Sequence, residues 1–173
     1  GAAFQTVLDV NALAEGKPFM SLGAYLMSDD GALLAYSTDD TGFRQYRLQV
    51  KNLATGEIWS RSFEKTISVA WASDSRTLFF TEEDHAKRAA RLYRVEAFTD
   101  GAAELVFEEP DERFSLEIFR SRSGAMLFFV NNYRVEHEMD EQSVVESLRG
   151  NGVGFVMYND VDLEIDYLIV SRP

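Results

Sequence analysis

A few groups of side chains in this sequence have the types and spacings that chemistry requires. His85 follows Asp84, placing a base beside a carboxylate that could orient it, and Ser121 and Ser123 supply hydroxyls. A nucleophilic site would need these groups to converge in space with an oxyanion-stabilising group. The chain has no Gly-x-Ser-x-Gly turn, the strained elbow that exposes a nucleophilic serine. His137 falls in a polar, helix-compatible stretch and is most simply a surface histidine.

Carboxylates form the second group. Asp160, Asp162, Glu164 and Asp166 alternate with apolar residues, so in an extended strand they share one face and repel unless solvated or bound to a cation. Oxygen ligands suit calcium, but the segment lacks the glycine-containing loop of a helix-loop-helix calcium site, and a solvated acidic strand is the expectation. Glu108, Glu109, Asp111 and Glu112 make a charge run with no spacing that sets two carboxylates across a substrate. Lys87, Arg88 and Arg91 are the strongest basic cluster; without a second basic-aromatic segment they are expected to pair locally with Glu82, Glu83 and Asp84. The residues therefore predict no catalytic, metal-binding or cofactor-binding site.

The elements that would position these groups are short strands. Val69–Ala72, Thr77–Thr81, Leu92–Val95 and Leu105–Phe107 are separated by the turns Ser73-Asp74-Ser75 and Thr99-Asp100-Gly101 and by the polar stretch Glu82–Arg88. A period of two puts Leu78 and Phe80 on one face and Phe79 on the other. The same order occurs upstream: Tyr25–Ser28, the Asp29-Asp30-Gly31 turn, Leu33–Ser37, Tyr46–Leu53 and Ile58–Phe63. The two tight turns begin about 44 residues apart, a spacing suited to propeller blades. A third unit begins with Leu116–Arg120 and Met126–Val130 around Ser123-Gly124. Before the first unit, Val7–Val10 is compatible with a short strand and Asn11–Glu15 with a helical turn; beyond the third, Val135–Leu148 has helical spacing. The predicted fold is mainly β: residues 1–173 as one partial propeller of four-stranded antiparallel blades, in units of about 19–66, 67–114 and 115–173, with one short C-terminal helix. Trp59 and Phe63 are expected to pack in the core or between blades, and Lys51 and Arg61 to face solvent.

Composition supports this class and narrows the partners. With 46% hydrophobic and 13% aromatic residues, 173 residues can bury a substantial core. Seventeen basic against 29 acidic residues, a net charge of −12, disfavour nucleic acid and anionic membrane as partners. The chain has no cysteine, which excludes disulfides and thiol catalysis, and no long apolar span, and its first residues lack the charged-then-apolar order of a secretory leader; a cytoplasmic setting is the expectation.

Five segments carry a family resemblance: VLDVNALAEG (7–16), LGAYLMSDDGALLAYSTDDTG (22–42), VKNLATGE (50–57), VAWASDSRTLFFTEED (69–84) and EEPDERFSLEIFRSRSG (108–124). In this order they resemble the amino-terminal propeller of oligopeptidase B, in the prolyl oligopeptidase family of serine peptidases. The resemblance runs along about residues 7–130. It implies a seven-bladed propeller set over an α/β-hydrolase domain that carries the serine, aspartate and histidine, with cleavage of short peptides after arginine or lysine by the whole enzyme. No catalytic residue transfers onto this chain, so the resemblance implies a noncatalytic interaction or gating module. Two or three blades leave apolar flanks. Self-association, a protein partner or an α/β-hydrolase domain is expected to cover them, with Trp71, Phe79, Phe80, Phe128 and Phe129 among the residues concerned.

Overall fold

The computed structural model describes residues 6–120 and 126–132. The lead-in holds one short helix, α1 (Val10–Ala14), capped by Asp9, whose carboxylate accepts the Ala12 N–H at 3.1 Å. The strand expected over Val7–Val10 does not form. The cap turns the chain into α1 at Val10, and the Val7 carbonyl instead accepts a hydrogen bond from Lys51 at 2.9 Å. The helix expected over Val135–Leu148 and the later strand candidates lie outside the described residues.

Among the described residues nine strands follow in three antiparallel sheets. The first sheet is β1 (Ser21–Met27), β2 (Leu33–Asp39) and β3 (Arg47–Asn52). The second is β4 (Thr66–Trp71), β5 (Thr77–Glu83), β6 (Ala89–Glu96) and β7 (Glu104–Glu108), and the third opens with β8 (Phe114–Arg120) and β9 (Met126–Asn132). Neighbours in sequence are neighbours in each sheet, the meander of a propeller blade. The first blade departs from the expected four regular strands. Ile58–Phe63 meets β3 through two isolated bridges, Lys51 with Ile58 and Leu48 with Phe63, so its partners lie three apart on β3 and five apart on the outer segment. The surplus bulges the segment and breaks its ladder.

The repeat is visible in local hydrogen bonding. In each tight turn an aspartate accepts amides just downstream: Asp30 that of Ala32 at 3.0 Å, Asp74 those of Arg76 and Thr77 at 2.9 and 2.8 Å. Both first strands carry a bulge, between Leu22 and Tyr25 in β1 and between Thr66 and Val69 in β4. Each bulge amide is held by a hydroxyl of the next strand: Ala24 N–H by Ser37 at 2.8 Å, Ser68 N–H by Thr81 at 3.0 Å.

The second blade is apolar on both faces, as the alternation of Leu78, Phe79 and Phe80 predicts. Toward the first blade, Val69, Trp71, Leu78, Phe80 and Val95 close on Ala35, Leu48, Val50 and Trp59. Phe80 stacks on Tyr93 with centroids 5.4 Å apart and tilts against Phe63 at 4.5 Å. Toward the third blade, Ala70, Ala89 and Leu92, with half-buried Phe79, pack on Phe114, Leu116 and Ile118. Trp71 and Phe80 are thus seam residues and Phe79 packs on the second cluster, which removes them from the exposed flank expected of them; the side chains of Phe128 and Phe129 lie outside the described residues.

Polar ties reinforce the seams at the tight-turn end. Trp71 Nε1 donates to the Leu26 carbonyl at 2.9 Å, and the Asp30 amide to Ser75 Oγ at 3.1 Å. Ser75 has a left-handed backbone (φ 60°), which Gly31 adopts at the matching place in the first blade (φ 70°). Arg120, at the end of β8, pairs with Asp29 of the first blade. Lys51 and Arg61, expected to face solvent, also make ties: Lys51 holds the lead-in, and Arg61 lies over Trp59 and donates to the Gly101 carbonyl.

Candidate functional site

Among the described residues, the polar candidates from Glu82 to Arg88 lie at the end opposite the tight turns, where the second and third strands of the first two blades are joined by longer loops. Asp39 ends β2 and is buried, and its carboxylate organises the loop that follows. Oδ1 accepts the amides of Thr41 and Gly42 at 2.8 and 3.2 Å and the Thr41 hydroxyl at 2.6 Å; Oδ2 accepts the Arg44 amide at 2.7 Å. The Thr41 hydroxyl foremost, with those amides, holds the Asp39 carboxyl below its ordinary value against the cost of burial. Arg44 is left-handed (φ 60°), and the loop presents Phe43, 68% exposed, at its tip.

Asp84 has the same role in the second blade. It follows β5, is buried, and accepts the amides of Ala86 and Arg88 at 2.9 and 3.1 Å and Arg88 Nε at 3.0 Å. Burial opposes its charge, but the Arg88 amide and guanidinium and the Ala86 amide outweigh burial, and its carboxyl lies below the usual range. Asp84 is therefore committed to Arg88 and does not orient His85. His85 is 81% exposed and its Nε2 lies 3.5 Å from Glu112, so the pair considered for proton transfer is not assembled. Ser121, Ser123, His137 and the acidic segment 160–166 lie outside the described residues.

The basic cluster pairs locally, as its neighbours in sequence predict. Arg91 meets Glu82 at 2.5 Å and Glu108 at 3.9 Å, and Lys87 donates to the Phe43 carbonyl at 3.3 Å, tying the two loops together. Arg88 goes further than the sequence indicates. Its side chain is 11% exposed, and beyond Asp84 it donates to the carbonyls of Glu109 at 3.0 Å, Phe114 at 2.5 Å and Asp111. It thus fastens the crossover that carries the chain from β7 into β8. A sequence signal exists in retrospect: both loops open on an aspartate followed by an arginine, Arg44 five residues after Asp39 and Arg88 four after Asp84, and in each the aspartate accepts the arginine's amide, to which Arg88 adds its guanidinium. Beside the first loop, a cleft of about 270 Å³ is lined by Lys17, Asp40, Gln45, Arg47, Glu64 and Lys65, with Lys17 paired to Asp40 at 3.0 Å and Arg47 to Glu64 at 2.6 Å. The contacts of these groups hold the loops and the crossover in place; among the described residues no three histidine or acidic side chains gather in metal-binding geometry.

Residues 1–142 match the family model described as the prolyl oligopeptidase N-terminal beta-propeller domain. The chain belongs to the prolyl oligopeptidase family. Among curated relatives, the uncharacterized peptidase y4sO of Sinorhizobium fredii is 43% identical over 130 residues, covering 74% of this chain and 18% of its own length. Dipeptidyl aminopeptidase BI of Pseudoxanthomonas mexicana is 36% identical over 141 residues, covering 80% and 20%. Among solved structures, oligopeptidase B from Trypanosoma brucei superposes with a TM-score of 0.63 at 27% identity, covering 72% of this chain and 18% of that one. The chain spans about a fifth of the length of these relatives. It corresponds to part of the N-terminal propeller of oligopeptidase B-like serine peptidases, which full-length members pair with a catalytic α/β-hydrolase domain. Among the described residues of this prolyl oligopeptidase propeller, no helix is long and apolar enough to cross a membrane.

Proposed function

We propose that this chain acts as an interaction and gating module, a set of propeller blades that docks on an α/β-hydrolase domain and restricts which peptides reach it. The observation that carries the reading is the two-faced second blade, whose seams make a continuous arc of blades. A rigid arc of this kind offers loop-bearing ends to a neighbour while its own cores stay closed. In the same reading residues 1–173 constitute one partial-propeller domain in the cytoplasm. The partner is the hydrolase domain; a second copy of the chain is the next candidate, on the apolar surface that stays exposed on Tyr25 and Met27.

A second reading follows from the names of the relatives, which are peptidases. Here the chain is a component of an active enzyme that hydrolyses short peptides after arginine or lysine once a separate hydrolase domain is supplied. One experiment tests both: the purified chain is assayed against short arginine- and lysine-containing peptides, alone and mixed with the hydrolase portion of a related enzyme, with binding measured in parallel. Binding that narrows the hydrolase portion's peptide size range supports the gate, and turnover that appears only in the mixture supports the second reading. Turnover by the chain alone, abolished by replacing one of its own serines, refutes the noncatalytic assignment.

A further inference from the structure

We infer that Phe43 is the anchor through which this propeller end binds its α/β-hydrolase domain; the inference rests on the gating reading and names the contact that reading requires. Phe43 is the most exposed of the large apolar side chains among the described residues, at 68%. Its loop is built rather than slack. The buried Asp39 carboxylate receives three backbone amides and one hydroxyl of the segment 41–44, and Arg44 takes a left-handed backbone to complete the turn. The Phe43 carbonyl is held by Lys87 of the next blade's loop, and the ring of Phe19, itself 44% exposed, lies beneath Gly42. A loop whose backbone is fixed in advance loses little conformational freedom on binding, and an aromatic side chain carried at its tip has the property of an interface anchor.

The opposite end offers less. Among the described residues its tight turns end in polar residues already spent on ties within the propeller, Asp29 to Arg120, Asp30 to Ser75 and Asp74 to Thr77, and the large apolar side chains beside them, Met27 at 53% and Ile58 at 44%, are less exposed than Phe43. The occupant follows from the relatives: about four-fifths of their length lies outside the matched region, and in full-length members that remainder includes the hydrolase domain. Around Phe43 the rim is charged, with Lys17, Asp40 and Lys87 at its sides, so an apolar pocket ringed by polar groups is the complementary surface.

The test is binding of the full 173-residue chain to the separately produced hydrolase portion of a related enzyme, measured by titration calorimetry for the unaltered chain, Phe43→Ala, Phe43→Asp and the control Leu105→Asp on the outer strand of the second blade. The expected result is binding by the unaltered chain, weakening by roughly tenfold or more in Phe43→Ala, no measurable binding by Phe43→Asp, and an affinity within about twofold of the original for Leu105→Asp. Thermal unfolding midpoints matching the unaltered chain show that the Phe43 variants fold. Unaltered binding by both folded Phe43 variants, or an equal loss in the control, overturns the anchor while leaving the gating reading intact. Absence of binding by the unaltered chain overturns both. Should a Phe43 variant unfold, photo-crosslinking from benzoylphenylalanine at position 43 replaces it: adducts to the hydrolase portion support the anchor, and their absence in a binding mixture overturns it.

Discussion

Replacing Arg88 with alanine probes the seam between the second and third blades. The substitution removes a nearly buried guanidinium that serves four acceptors, the Asp84 carboxylate and the carbonyls of Glu109, Asp111 and Phe114. Breaking a buried pair by deleting one partner costs about 3 to 5 kcal/mol, chiefly because the remaining charge is left uncompensated. Asp84 keeps the amides of Ala86 and residue 88, which places the expected loss near the lower end, about 3 kcal/mol. With a urea dependence of about 2 kcal/mol per molar, the unfolding midpoint should fall by about 1.5 M. Arg88→Lys keeps the charge but cannot fan out to three carbonyls, so it should recover about half of the loss. Asp84→Asn combined with Arg88→Ala should cost less than the sum of the two single changes, since both remove the same pair. Hydrogen exchange should locate the damage in the crossover 109–114. A loss below about 1 kcal/mol for Arg88→Ala, or a lysine variant as stable as the original, would refute the assignment of Arg88 as the fastener of this seam.

Three further outcomes are expected. Tyr36 is fully buried and its hydroxyl has no hydrogen-bond partner among the described residues, whereas Phe80 fills the matching place in the second blade; Tyr36→Phe should raise stability by about 1 kcal/mol, and a destabilised variant in chemical denaturation would reveal a partner for the hydroxyl. A β-carbon at Gly23 would lie 2.6 Å from Ser37 Oγ and 2.7 Å from the Tyr46 ring, so Gly23→Ala should lose about 2 kcal/mol and release the Ala24 amide to exchange; unchanged stability would mean the bulge can shift. Hydrogen bonding depresses the carboxyls of Asp39 and Asp84, and the Arg113 side chain brings Asp111 down to about 2. Because these folded values lie below the unfolded 3.8, their stabilisation is complete above 3.8 and lost as pH falls through the depressed values. Denaturation midpoints should therefore hold down to about pH 4 and drop toward pH 2, and a steep decline already at pH 6 would contradict this.

The features of the fold legible in the sequence were those set by local rules. A period of two assigned Leu78 and Phe80 to one seam and Phe79 to the other, because alternation along a strand needs no knowledge of the partner. The aspartate-led turns at 30 and 74 were equally plain, since each aspartate bonds to its own neighbours. What escaped notice depends on distant chain. Ile58–Phe63 has a strand's composition, but its length relative to β3 decides whether a ladder forms. The burial of Arg88 depends on carbonyls more than 20 residues away, and charge alone suggested a solvated surface. Likewise Asp84 beside His85 invited a catalytic reading that the amides of residues 86 and 88 had already pre-empted. Phe43 was invisible as a candidate because nothing local shows that Asp39 folds the loop beneath it.

Two of the ties between the first and second blades join groups one repeat apart, Asp30 with Ser75 and Leu26 with Trp71, each across 45 residues. During synthesis this separation becomes a delay. The seam face formed by Ala35, Leu48 and Val50 has no cover until Val69, Leu78 and Phe80 have emerged, and at ribosomal speeds a repeat of this length takes roughly 2 to 9 seconds to appear. For that interval the nascent first blade carries a bare apolar sheet, and the same interval recurs for the second blade until β8 arrives. Slow codons between residues 53 and 66 would prolong the first such window, and a holdase acting on this chain would find its earliest binding surface there.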